Sequence, residues 1–346
     1  MYAGTIALDN LPADMLGEIL VHLTYPRIAP LVSTRAVCKQ FKGLVDANFK
    51  IIRECLYVFP ATYLRMTPAP TVNIKSMATL SDGRIVCTDG KNLCTLNSAG
   101  DNETVFKRIA HLSPTDTSYI QSLVIDNNDN VYILQSKQIK KVNLVSKTVE
   151  VLSKDLEFFM FSSFALDHRG NFILCEGKHI QTLSKAGDLK SIGHASTTWR
   201  KVLDGPIEEA TFWRPVFVAV HPKNTDIYII DSLSYLEINS SDVCDYIRVV
   251  SNGYVRTIYK HNEIIHGIAF GDKGDFYFGT QTGIYKVYLG GKTKGTHIVK
   301  LRTRPKMRGV HTMCHRGGSL VIAKQIFTTD LEKREGLYSL RLTQEV

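Results

Sequence analysis

The chain has no C-x-x-C pair, no long apolar run and, between positions 292 and 308, no acidic residue. Its seven cysteines (Cys38, Cys55, Cys87, Cys94, Cys175, Cys244 and Cys314) are odd in number and scattered. That pattern fits reduced thiols and argues against a disulfide frame or a cysteine zinc site. No apolar stretch approaches the ~18 residues a membrane helix needs. The first 20 residues carry Asp9, Asp14 and Glu18 and lack both a basic start and an unbroken apolar core, so neither secretion nor a membrane partner is expected. The expectation is an intracellular protein, cytoplasmic or nuclear, in the host cell if the chain is viral.

With 346 residues and 44% apolar content, the chain can bury one large core and add a small second module. Its net charge of +9 is unevenly placed: residues 286–346 hold 13 basic and four acidic side chains, and seven of the basic ones fall between Lys292 and Arg308.

The first segment has a helical period. Leu8, Leu11, Met15, Leu16, Ile19, Leu20 and Leu23 recur at three- and four-residue steps, which predicts a helix from about Pro12 to Leu23 with its proline in the tolerant first turn. Pro26 and Pro30 interrupt, and Val37, Phe41, Leu44, Val45, Phe49 and Ile52 restore helical spacing to about Cys55. A module this small buries too little surface to stand well alone, so a partner is implied. Leu11-Pro12-x-Asp14-x-Leu16-x-x-Ile19-Leu20-x-x-Leu23, followed by Val37-Cys38-Lys39-x-Phe41, resembles an F-box. The interval between its two halves is longer than that family's pattern. The resemblance implies docking of Leu11, Pro12, Leu16, Ile19, Leu20, Leu23, Val37, Cys38 and Phe41 onto the Skp-type adaptor of a cullin–RING ubiquitin ligase.

After the Thr67-Pro68-Ala69-Pro70 boundary the apolar period becomes two. Strand–turn–strand units recur with turn centres near Gly83, Asp129, Gly170, Asn224, Gly274 and Gly318, spaced by 46, 41, 54, 50 and 44 residues. Each pair of strands leaves an apolar face that only a neighbouring copy can cover. Six copies predict a mainly β fold, a six-bladed β-propeller over residues 57–346 preceded by the all-α module at 1–56. The segment 57–66 is a candidate for closing the last blade. The clearest copy, Asp204 to Ser232, matches the NHL repeat at Asp204, Gly205, Ala210, Phe212, Pro215, Ala219, Val220, Tyr228, Asp231 and Ser232, and so resembles that family. Asp231 reads as a strand-end residue holding a turn through backbone hydrogen bonds.

Candidate chemistry is sparse. Gly291-Lys292-Thr293 lacks the earlier glycine of a phosphate-binding loop. His311 and His315 lie on one side of a strand and Cys314 on the other, which speaks against a metal site; neither a metal nor a cofactor is expected. The basic segment offers Lys300, Arg302, Arg304, Lys306 and Arg308 as candidate target-binding residues. It contains no interleaved aromatics that would stack bases.

The resemblances together imply a non-catalytic substrate-recognition adaptor, with the F-box on the ligase and the propeller on an acidic or phosphorylated protein target. Two alternatives stand beside it. One is an NHL-type propeller binding RNA or acidic partners through 292–308. The other is a calcium-dependent lactonase-like hydrolase, for which Asp126, Asp167 and Asn239 are carboxylate and amide candidates without a matching motif.

Overall fold

Alternation of apolar and polar residues over short runs makes strands, and tight turns between runs fold them back on one another. A computed structural model describes residues 58–67, 74–99, 103–111, 119–135, 137–153, 156, 161–198, 201–233, 244–288, 296–324 and 336–342. The helices expected in 1–56, and with them the nine F-box positions Leu11 to Phe41, lie outside the described residues, as do Asn239, Gly291, Lys292 and Thr293. No helix occurs among the described residues.

The strands form six blades. A long strand, β1 (Val58–Thr67), comes first. The first blade holds β2 (Ser76–Thr79), β3 (Ile85–Thr88), β4 (Asn92–Ala99) and β5 (Glu103–His111). The second holds β6 (Ile120–Ile125), β7 (Val131–Gln135), β8 (Gln138–Val142) and β9 (Val149–Val151). The third holds β10 (Phe161–Leu166), β11 (Phe172–Glu176), β12 (His179–Leu183) and β13 (Leu189–Ser191). Three two-residue strands follow, β14 (His194–Ala195), β15 (Gly205–Pro206) and β16 (Thr211–Phe212). The fourth blade is β17 (Pro215–Val220), β18 (Ile227–Ser232), β19 (Asp245–Ser251) and β20 (Tyr254–His261), and the fifth is β21 (Ile265–Phe270), β22 (Phe276–Thr280), β23 (Ile284–Tyr288) and β24 (His297–Lys300). After the short β25 (Arg302–Arg304), the sixth has β26 (Val310–Arg316), β27 (Ser319–Lys324) and β28 (Gly336–Arg341). Within a blade, consecutive strands pair antiparallel. The inner strands β2, β6, β10, β17, β21 and β26 touch one another in a closed cycle around the axis. The protein is thus a mainly β, six-bladed propeller.

Apolar clusters fill the wedges between neighbouring blades. Leu80, Val86 and Leu93 meet Leu123, Ile133 and Val142 between the first and second blades, and Tyr228, Ile230 and Val249 meet Phe276, Phe278 and Tyr285 between the fourth and fifth. The turns that join first and second strands repeat a local device. The Asp126 carboxylate accepts from Asn128 N, Asn130 N and Asn130 Nδ2, and Asp167 does the same for Arg169 and Asn171. The turn residue must adopt positive φ, which Gly170 (77°) takes freely and Asp129 (59°) tolerates.

β1 binds the ring together. Its first residues pair with β25 (Val58↔Arg302), its middle with β28 (Ala61↔Leu340, Leu64↔Leu337) and its last with β5 (Arg65↔Glu103). One strand therefore supplies the outer strand of the sixth blade and pairs with the outer parts of the fifth and first, removing sheet edges at all three.

The Asp204 to Ser232 stretch folds around a buried guanidinium. Arg248 of β19 is fully buried; it donates to Asp231 Oδ2 (3.3 Å), to Asp204 Oδ1 (2.9 Å) and to the carbonyls of Thr211 and Leu203 (both 2.6 Å), and lies over the Phe212 ring at 4.5 Å. Asp231 also accepts from Trp213 N and Arg214 N, and Asp204 from Thr257 N. The motif-like residues Asp204, Phe212 and Asp231 are parts of a blade joint.

Candidate functional site

Five of the six inner strands begin with the same irregularity. The pairing of each with its second strand skips one residue: Gln121 in β6, position 162 in β10, Val216 in β17, His266 in β21 and His311 in β26. A bulge of this kind takes its extra residue out of the regular alternation and re-aims it, and such bulges concentrate at the rims of closed sheets and beside active sites. In the first blade, Lys75 stands immediately before β2. These six positions ring one end of the axial channel, the upper face, where the inner strands begin.

Lateral contacts fix who neighbours whom. A Cβ on Gly267 would lie 3.0 Å from Thr312 Cα, so the preceding residues His266 and His311 are side by side. Thr79 Oγ1 donates to the His315 carbonyl at 2.7 Å, which sets the starts of β2 and β26 side by side, and the Lys75 charge bears on His311. The arc His266, His311, Lys75 is therefore continuous across the fifth, sixth and first blades. Gln281, on the turn after β22, donates from Nε2 to His266 Nε2 (3.3 Å), which places the imidazole proton on Nδ1. Gly309 N in turn donates to the Gln281 carbonyl at 2.9 Å, tying the connection into β26 to the same turn.

Both histidines are half-buried. Burial lowers the His266 pKa. It lowers that of His311 to about 4, with the charges of Lys75 and His266 adding to the effect. At neutral pH the arc therefore holds two neutral imidazoles, each able to take up a proton, beside an exposed ammonium.

A second polar group braces this turn. Thr282 Oγ1 donates to Glu263 (2.7 Å to Oε1) and accepts from Lys300 Nζ (2.9 Å) and Tyr285 OH (3.0 Å). The Glu263 carboxyl is held below its ordinary value by hydrogen bonds from Thr280 and Thr282 despite partial burial. Behind it His261 is buried among Phe278, Tyr285 and Tyr259.

The residues proposed from sequence fall into place unevenly. Lys300 ends β24 on the upper face, and Arg302 and Arg304 sit in β25. Lys306 and Arg308 lie in the connection that leads to His311; Arg304, Lys306 and Arg308 are exposed. Asp126 and Asp167 are at the opposite, lower face, occupied with their own turns, and are not brought to the channel. His311 and His315, read from sequence as one face of a strand, are separated by the bulge: His315 Nδ1 sits 3.2 Å from Asp272 near the lower end. Sequence reading did not find Lys75, His266 or Gln281 as site residues. A signal was present: Lys75, Gln121, Val216 and His266 each stand eight residues before the turn centre of their copy, and His311 seven.

No family model and no curated protein matches the chain. Solved structures do. A streptogramin B lyase is 13% identical, with 83% of this chain covering 88% of that one at a TM-score of 0.51. A catalytically inactive histidine-to-alanine variant of virginiamycin B lyase from Staphylococcus aureus, solved with quinupristin, is 11% identical over 82% of this chain and 100% of that one, at 0.52. The PQQ-bound aldose sugar dehydrogenase of Streptomyces coelicolor is 9% identical over 81% and 97%, at 0.55. Identities this low establish a shared six-bladed propeller fold.

These findings correct the reading of the chain as a non-catalytic ligase adaptor. The three similarly folded proteins named above are enzymes, which runs against the adaptor reading. Neither the F-box nor the NHL identity is supported. The physical reason is that strand–turn–strand spacing is common to every propeller and does not distinguish an adaptor from an enzyme.

Proposed function

We propose that this propeller is an enzyme of the lyase or hydrolase type, acting on a small molecule held at the upper mouth of the axial channel. Its proton transfers would be made by His266 and His311. The observation that carries this reading is the adjacency of the two imidazoles on successive bulged strands, neutral at physiological pH and oriented by Gln281. Propeller mouths are concave, and a few convergent polar groups over an apolar body are the usual form of a small-molecule site. A neutral imidazole can accept a proton in one step and return it in the next. The inactive histidine-to-alanine variant of the similarly folded lyase supports a histidine role of this kind.

The calcium-dependent lactonase is retained in its reaction class alone. The mouth presents an ammonium, an amide, a valine and imidazoles, far short of the roughly six to eight oxygen ligands that calcium takes. Among the described residues no group of three or more His, Cys, Asp or Glu could hold a metal ion. The donors do not fit, and no step is routed through an ion.

The test is a panel of lactones and cyclic depsipeptides, including quinupristin, incubated with the wild type and with His266→Ala and His311→Ala. Products are read by mass spectrometry: ring opening with gain of one water marks a hydrolase, and opening without mass change marks a lyase. Each histidine variant is expected to lose at least ~100-fold in turnover, the usual worth of a general acid or base. Turnover undiminished in both variants, or no turnover of any panel member, refutes the reading.

A further inference from the structure

The charge around the mouth indicates what it accepts. Lys75, exposed just before β2, lies near enough to His311 for its charge to act on it. Arg308 stands three residues before His311, so their Cα atoms are within roughly 10 Å even with the chain extended. Arg304 and Lys306 precede it on the same exposed connection, and Lys300 closes the fifth blade beside it. Two acids at this face are held by local hydrogen bonds. Asp89 Oδ1 accepts from Lys91 N and Asn92 N and its Oδ2 from Asn92 Nδ2, and Glu263 is held through both oxygens by Thr282. The anchor of the connection is internal: Met307 N donates to Thr303 Oγ1 (2.8 Å) and Gly309 N to the Gln281 carbonyl, which fixes its backbone beside the turn that carries Gln281.

We propose that the ligand of this mouth is a small molecule bearing an oxyanion, a carboxylate or a phosphate, which Lys75 and Arg308 would bind from either side of His311. The inference rests on reading the mouth as a ligand site and goes beyond it in naming the ligand's charge. It also gives the depressed His311 a purpose. An imidazole with a pKa of about 4 is a weak base, and part of that depression comes from the Lys75 charge. An anion seated on Lys75 would cancel that charge and return His311 towards the range where a base works best. The bound anion would thereby complete the base that acts on its own molecule.

Inorganic phosphate and acetate are the probes. The imidazole resonances of His266 and His311 are followed by NMR as pH is varied, with and without each anion, in the wild type and in Lys75→Glu and Arg308→Glu. Both substitutions are at exposed positions, and unchanged melting temperature shows that each variant is folded. Saturable binding of phosphate or acetate, raising the His311 pKa by at least one unit and weakened at least tenfold in each variant, supports the proposal; the probe that binds more tightly identifies the anion type. Absence of any histidine shift with either probe overturns it, as does equal binding by the variants. Binding of poly-uridylate or an acidic peptide with neither small anion perturbing His311 also overturns it, in favour of a macromolecular partner. The two readings fail separately. Turnover of neutral lactones without anion binding would remove this inference alone, and anion binding without turnover would remove the enzymatic reading and leave the anion site.

Discussion

Replacing Arg248 with leucine should cost about as much stability as truncating a buried aromatic side chain of the fourth blade. The guanidinium is fully buried, and its loss leaves Asp231, also fully buried, without its counter-charge. It also removes the 2.6 Å hydrogen bonds to the carbonyls of Thr211 and Leu203, of which Leu203 keeps one from Thr211 N. Removing one partner of a buried ion pair costs about 3–5 kcal/mol, and leucine recovers only part of the packing against Phe212. The expected loss is about 4 kcal/mol, read as a lower urea midpoint at unchanged slope. The loss should also depend on pH. Burial raises the Asp231 carboxyl above the ordinary carboxylate range, against the pull of Arg214 N, Arg248 and Trp213 N. A folded value above the unfolded one means that the folded state holds the proton more tightly. The stability this confers is present below the unfolded pKa and is lost as pH rises through the folded one. Without Arg248 the folded value moves up further, so the deficit of the variant should be larger at pH 8 than at pH 5. A deficit below about 1 kcal/mol, well under what a broken buried pair costs, or one that shrinks with rising pH, would refute the role assigned to this joint.

Two further outcomes test the ring. Phe59→Ala in β1, where the side chain is 3% exposed in the cluster with Leu301 and Met307, should lower stability by about 3–5 kcal/mol; loosening its pairing with β25 (Phe59↔Thr303) should also give oligomers in size-exclusion chromatography. Gly193→Ala places a methyl 2.6 Å from Phe212 and 2.8 Å from the Ala210 carbonyl at φ +68°. It should cost clearly more than Gly187→Ala (φ +95°, nothing within 4 Å), for which about 1–2 kcal/mol of backbone strain is expected; equal melting temperatures would contradict the packing described.

Much of the propeller was legible in the chain because its causes are local. Alternation makes strands, an Asp or Gly at positive φ makes the turn between them, and a period near 46 residues makes blades. Asp231 could be read as a strand-end residue, since its backbone partners lie within one repeat. Its burial with Arg248 could not be read, because the arginine belongs to the next strand and nothing in its neighbourhood marks it as internal. The functional reading failed for a related reason: the NHL-like copy is a contiguous motif, and its recognisable residues build a blade joint.

By itself, then, the sequence determined the strands, the turns, the number of blades and the basic character of the Lys300 to Arg308 stretch. Tertiary structure alone decided that His266, His311 and Lys75 adjoin, although about 45 residues or more separate each from the next along the chain. A bulge is a matter of pairing register, which depends on the partner strand, and closure of the ring depends on β1 meeting strands from three blades. Both bring distant positions together through contacts that no local pattern encodes.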